Sequence, residues 1–91
     1  MRRNPEEVLK TIGKIYGVKF DEILRTGKRG FDARDVAIYL LKKESKLSLK
    51  DIGDRIGVGF SAVGNQWTRI KKRIEDEPEF EIKVQKCSAF L

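Results

Sequence analysis

Residues 47–74 read LSLKDIGDRIGVGFSAVGNQWTRIKKRI, and the fold turns on them. Ser48 with Asp51 three residues on is a helix start signal, and Leu47 and Ile52 are spaced to clamp the entering chain as a hydrophobic staple. Leu49, Ile52 and Ile56 give this helix an inner face, and Gly57 ends it. A longer helix starts near Ser61 and runs to about Asp76, before Pro78. Two helices joined by so tight a turn make a helix-turn-helix when a small residue sits at their crossing, a glycine opens the turn and apolar residues pin both helices. Here Ile52 and Ile56 are the pins of the first helix, Gly53 the small residue, Gly57 the turn opener, Val58 its plug and Val63 the anchor of the second helix. The unit spans about residues 47–76.

At about 100° per residue, Val63, Trp67, Ile70 and Ile74 fall within one arc of the second helix and form its buried stripe. Ser61, Asn65, Thr68 and Lys72 lie on the opposite face, with Arg69 beside them. A recognition helix sets such polar side chains against base edges in the major groove, and its cations against phosphates. Asn can bond adenine in two places, and Ser or Thr can address most bases. Ser61, Asn65 and Thr68 are therefore the candidate base contacts, and Arg69, Lys72 and Arg73 candidate phosphate contacts. Trp67 shares the stripe of Val63 and Ile70 and reads as core rather than as a base-stacking residue. Gly64 is unfavourable inside a helix; it allows close approach either to the DNA backbone or to a neighbouring helix.

Upstream, Asn4, Pro5 and Glu7 mark a first helix, with Val8, Ile12 and Ile15 or Tyr16 inward and Gly17 as its left-handed stop. A short helix capped by Asp21 is expected next, with Ile23 and Leu24 facing in. The loop Arg25–Gly30 holds Arg25, Lys28 and Arg29, which can reach phosphates or an adjacent minor groove. A central helix starts at Asp32, with Phe31 and Val36 as its staple and Val36, Ala37, Leu40 and Leu41 as a broad buried face, and runs to about Glu44 or Ser45. Lys42, Lys43, Lys46 and Lys50 form a solubilising cluster, with one or two phosphate contacts within its reach. Downstream, Phe80, Ile82 and Val84 alternate as a strand would, but a lone strand has no partner in a helical domain; residues 77–91 are expected as a short helix or an ordered arm. The expected fold is all-α, five to six helices in a single domain over residues 1–91.

The 91 residues hold 20 Lys+Arg against 14 Asp+Glu, a net charge of +6 and a pI near 9.6. Residues 1–74 carry 18 basic and 9 acidic side chains, whereas residues 75–81 carry five acids and no base. A basic body favours a polyanionic partner. One cysteine, Cys87, fits a reducing cytosol. The absence of histidine excludes Cys/His zinc sites and His-based general catalysis. No apolar run approaches a membrane span, and the N-terminus lacks the apolar stretch of a signal peptide. No metal, cofactor, small-molecule substrate or enzymatic activity is expected.

These residues bring a resemblance. The stretch from about Val8 to Glu77 resembles the C-terminal (domain IV) DNA-binding domain of the DnaA replication initiators, a helical fold of the Trp-repressor-like group. The resemblance rests on IYGVKFDEIL, the basic loop, ARDVAIYLLKKESKLSLKDIG and a second helix ending in a basic run. Where the DnaA recognition helix opens with Asp-His-Thr-Thr, this chain has Gly59-Phe60-Ser61-Ala62, about one residue shorter and without the Asp and His. The form GVGFSAVGNQWTRIKKRIEDEPEF is similar to the DnaA-like domain appended to some bacterial REP-associated tyrosine transposases. That resemblance implies a nuclease domain elsewhere on a parent chain, with this chain as its targeting piece.

The sequence thus points to a sequence-specific reader of double-stranded DNA, cytoplasmic and nucleoid-associated. The main rival is a helical protein-interaction module with Phe80, Phe90 and Leu91 as an apolar arm. An RNA reader ranks last, because such proteins stack splayed bases on exposed aromatics and few are left free here.

Overall fold

The structure, a computed structural model, describes residues 3–19, 22–23 and 31–91, with Phe31 described by its backbone alone. Five helices and no strand occur among the described residues: α1 (Pro5–Tyr16), α2 (Phe31–Lys43), α3 (Leu49–Ile56), α4 (Phe60–Asp76) and α5 (Pro78–Ala89). The expected all-α fold is observed. The short helix expected around Asp21–Leu24 lies mostly outside the described residues; of it, Glu22 and Ile23 form a turn, and Ile23 is buried.

Local chemistry sets most boundaries. The Asn4 side chain accepts the Glu6 N–H at 2.8 Å, and Pro5 occupies the first helical position, where its missing N–H costs nothing. Gly17 closes α1 at φ 72°, and the Val18 N–H reaches back to the Gly13 carbonyl at 3.0 Å. The same devices recur on α3: Ser48 Oγ accepts from Asp51 N–H at 3.1 Å, Gly57 closes at φ 77°, and Val58 N–H bonds Gly53 O at 2.9 Å. Glu77 serves two helices at once. Its N–H bonds the Arg73 carbonyl at 2.7 Å to end α4, and its own carbonyl receives Phe80 and Glu81 N–H to start α5. Pro78 holds Glu77 extended and occupies the first position of α5.

α2 is the hub and touches all four other helices. Ala33, Val36, Ala37, Ile38, Leu40 and Leu41 are buried around most of its circumference. One core cluster draws Val8, Leu9 and Ile12 from α1, Ile52 from α3, Val63 and Ile70 from α4, and Phe80, Val84 and Cys87 from α5. Arg3 N–H ties the chain start to the Glu44 carbonyl at the end of α2.

The tail differs from the alternation that its sequence carries. Phe80, Val84 and Cys87 recur at helical spacing and face the core, whereas Ile82 is exposed. Of the three residues assigned to an apolar arm, Phe80 is core and Leu91 packs against the core, leaving Phe90 exposed. Among the described residues no helix is long and apolar enough to cross a membrane, and no group of side chains could hold a metal ion.

Candidate nucleic-acid interface

α3 and α4 meet through the residues that the turn requires. A Cβ at Gly53 would sit 2.9 Å from the Val58 carbonyl oxygen and 3.5 Å from Val63 Cγ1, so any side chain there would force the helices apart. The turn Gly57–Gly59 follows, with Gly57 in the left-handed region where other residues are strained. Ile52 and Val63 are fully buried, and Ile56 and Val58 pack against the core from its edge. α4 starts at Phe60, one residue earlier than expected, with Gly59 as a cap that has no side chain to offer.

The opposite face of α4 is open. Ser61, Asn65, Thr68, Arg69 and Lys72 are all exposed; Ala62, and Phe60 at the helix start in line with Trp67, are exposed as well. Ser61, Asn65 and Lys72 make no hydrogen bond or ion pair among the described residues. Thr68 Oγ1 donates to the Gly64 carbonyl at 3.1 Å. Its proton is therefore committed, and it presents a methyl group and an acceptor outward. From Phe60 to Ile74 the helix carries Arg69, Lys71, Lys72 and Arg73 and no acid. The other four helices each carry at least one acid in the first turn; α4 has none.

The phosphate candidates separate. Lys72 is free and Arg69 is half-exposed at 54%, with one amino group 3.3 Å from Asp35 Oδ1. Arg73 is 21% exposed and engaged on every side: Asp35 Oδ2 at 2.8 Å, Asp32 Oδ1 at 3.0 Å, Glu77 at 3.2 Å, and the Phe80 ring 4.0 Å below its guanidinium carbon. Burial works against the charge on Arg73, but the hydrogen bonds it donates to Glu77, Asp35 and Asp32 outweigh this and raise the pKa. The geometry therefore moves Arg73 from the phosphate set into the scaffold. Asp35, 1% exposed on α2, is the buried carboxylate that both arginines serve. Nothing local in the sequence marks it, because its partners lie 34 and 38 residues away. Arg25, Lys28 and Arg29 lie outside the described residues.

Trp67 stacks on Tyr39 of α2, centroids 5.4 Å apart and planes 18° from parallel, and packs against the core. Lys42 and Lys71 ammonium groups stand 5.6 and 5.8 Å from the Trp67 ring centre. One ring face is therefore taken by Tyr39, in keeping with a core role. Of the lysine cluster, Lys43, Lys46 and Lys50 are exposed, Lys43 with its ammonium 5.9 Å from the Tyr39 ring centre.

No family model and no solved structure matches the chain with significance. Among curated proteins, the chain is 34% identical over 84 residues to the chromosomal replication initiator protein DnaA of Streptococcus agalactiae serotype Ia, and equally to those of serotypes V and III. The match takes in 88% of this chain and 18% of each relative's length. The chain is thus an all-helical, helix-turn-helix-like domain similar over most of its own length to a limited part of the DnaA initiators.

Proposed function

We propose that this chain binds double-stranded DNA sequence-specifically, with α4 in the major groove and no catalytic activity of its own. The observation that carries this reading is the outer face of α4. Its polar side chains Ser61 and Asn65 are unpartnered, it holds no acid over 15 residues, and the close crossing at Gly53 and the turn at Gly57 seat α4 against α3. Ser61, Asn65 and Thr68 read base edges; Arg69 and Lys72 hold phosphates, joined by Arg25, Lys28 and Arg29. Similarity to a chromosomal replication initiator supports a DNA partner. Since the chain matches 18% of such relatives, it suits the role of a targeting domain in a longer protein, an initiator-like protein or a transposase with its own nuclease domain, acting at the nucleoid.

The test is selection from a randomised duplex library at two salt concentrations. One enriched motif is expected, with affinity falling steeply in salt. Five phosphate contacts correspond to a slope of about −4.5 in log affinity against log salt. Salt-sensitive binding without enrichment would reduce the claim to phosphate docking. Absence of binding at low salt would favour the interaction module, for which the exposed Ile82 on α5 and the exposed Phe90 just beyond its end are the specific support.

A further inference from the structure

Two residues of α4 break a local rule, and they do so on the same side of the helix. Phe60 is 64% exposed, while the buried residues of α4 are Val63 and Ile70. Gly64 lies inside the helix, where glycine is a poorer choice than alanine. A Cβ on Gly64 would meet nothing within 4 Å, and its backbone is not left-handed. Gly53, by contrast, is required by an atom 2.9 Å away. No contact among the described residues calls for either Phe60 or Gly64.

Residues four apart on a helix lie about 40° apart around it, so Gly64 sits one turn along from Phe60, and Thr68 one turn further. Ser61 and Asn65 lie along one side of this stripe, and Val63 and Trp67 along the other. The surface is polar and basic, without an acid from Phe60 to Ile74. An aromatic ring beside hydrogen-bonding side chains on such a surface has one apolar partner in duplex DNA: the 5-methyl group of thymine, which projects into the major groove. A glycine next to the ring removes the bulk that would hold the duplex away.

We propose that Phe60 packs on a thymine 5-methyl group in the major groove, and that Gly64 is the gap through which the duplex comes close enough for that contact. The proposal rests on the reading of α4 as the recognition helix and adds the chemistry of one base to it.

The experiment uses the duplex enriched from the library, with each thymine replaced in turn by deoxyuridine, which lacks only the methyl group. At one position or more, affinity is expected to fall about fourfold, the worth of one buried methyl group. Phe60→Ala is expected to bind the parent duplex more weakly and to show no difference between thymine and uracil there. Gly64→Ala is expected to raise Tm, since alanine favours the helix, yet to weaken binding about tenfold through the added bulk. A purely structural glycine would not give these opposite signs. Specific binding that ignores every methyl deletion, an enriched site without thymine, or a Phe60→Ala protein that keeps the uracil penalty would overturn the inference and leave the recognition helix standing. So would Gly64→Ala with unchanged affinity, or a dimer that Phe60→Ala dissolves. A wild-type protein that binds no duplex overturns both.

Discussion

Lys72 and Arg73 are consecutive cations on α4 with opposite surroundings. Lys72 projects into solvent without a partner, and its charge is available to a phosphate. We predict that Lys72→Ala weakens binding to all duplexes about equally and reduces the salt slope by about one unit, with Tm unchanged. Asn65→Ala is expected to do the reverse, relaxing the enriched motif at one position while the salt slope stays. Equal losses on every sequence from both substitutions would remove the division between reading and positioning. Arg73 belongs to another class. It neutralises Asp35 in the interior, so Arg73→Ala strands a buried carboxylate with only the 3.3 Å contact from Arg69. The expected cost is about 3 kcal/mol of folding stability by urea denaturation, the low end for a broken buried pair. Unchanged stability with weakened DNA binding would return Arg73 to the phosphate set. The sequence placed both cations on α4, but it could not separate them: Arg73 is defined by Asp32 and Asp35 on a helix far upstream. Lys46, at φ 60°, was equally hidden, since nothing in its neighbours announces a left-handed lysine.

The turn between α3 and α4 is where sequence and geometry agree most closely, because each residue there answers a local demand. Ser48 caps, Gly57 reverses the chain, and Gly53 leaves room for the Val58 carbonyl. These demands act within ten residues, so they are written in order along the chain. We predict that Gly53→Ala destabilises by about 1–3 kcal/mol, since the atom it would strike is backbone and cannot swing aside. Gly57→Ala has open space around its Cβ but the wrong φ, and is expected to cost about 1–2 kcal/mol. Urea midpoints check both, and Gly53→Ala should also reduce DNA affinity by retilting α4. A Gly53→Ala protein as stable as the parent would mean that the two helices do not cross as described. α5 was less legible for a physical reason. Phe80, Ile82 and Val84 satisfy a period of two, while Phe80, Val84 and Cys87 satisfy one near 3.6. Only the surface of α1, α2 and α4 decides that Phe80 turns inward and Ile82 outward.

Every helix contributes to one cluster around α2, so cooperative unfolding of the five helices together is expected. Two titratable groups in that interior make the cooperativity visible through pH. Burial pushes the Cys87 thiol up, against a smaller lowering by Lys86. Burial also pushes the Tyr16 phenol up, reinforced by Cys87, Asp32 and Asp35 and opposed by Arg73. Both groups are neutral at pH 7, and both ionise more readily in the unfolded chain. The unfolded thiol sheds its proton near pH 8.5 and the unfolded phenol near pH 10, while their folded counterparts hold on. Above those values the unfolded state binds fewer protons than the folded one, so raising pH favours unfolding. Their contribution to stability is therefore complete below about pH 8.5 and drains away as pH climbs beyond it. The urea midpoint is expected to stay level from about pH 6 to 8 and to fall between about pH 9 and 11. Cys87→Ala should flatten the first part of that fall and Tyr16→Phe the second, whatever each does to stability at pH 7. The difference between the wild-type and variant curves isolates the two groups. Parallel curves for all three proteins would show that neither group is held away from solvent in the folded state, and would place α5 off the core that Cys87 is described as entering.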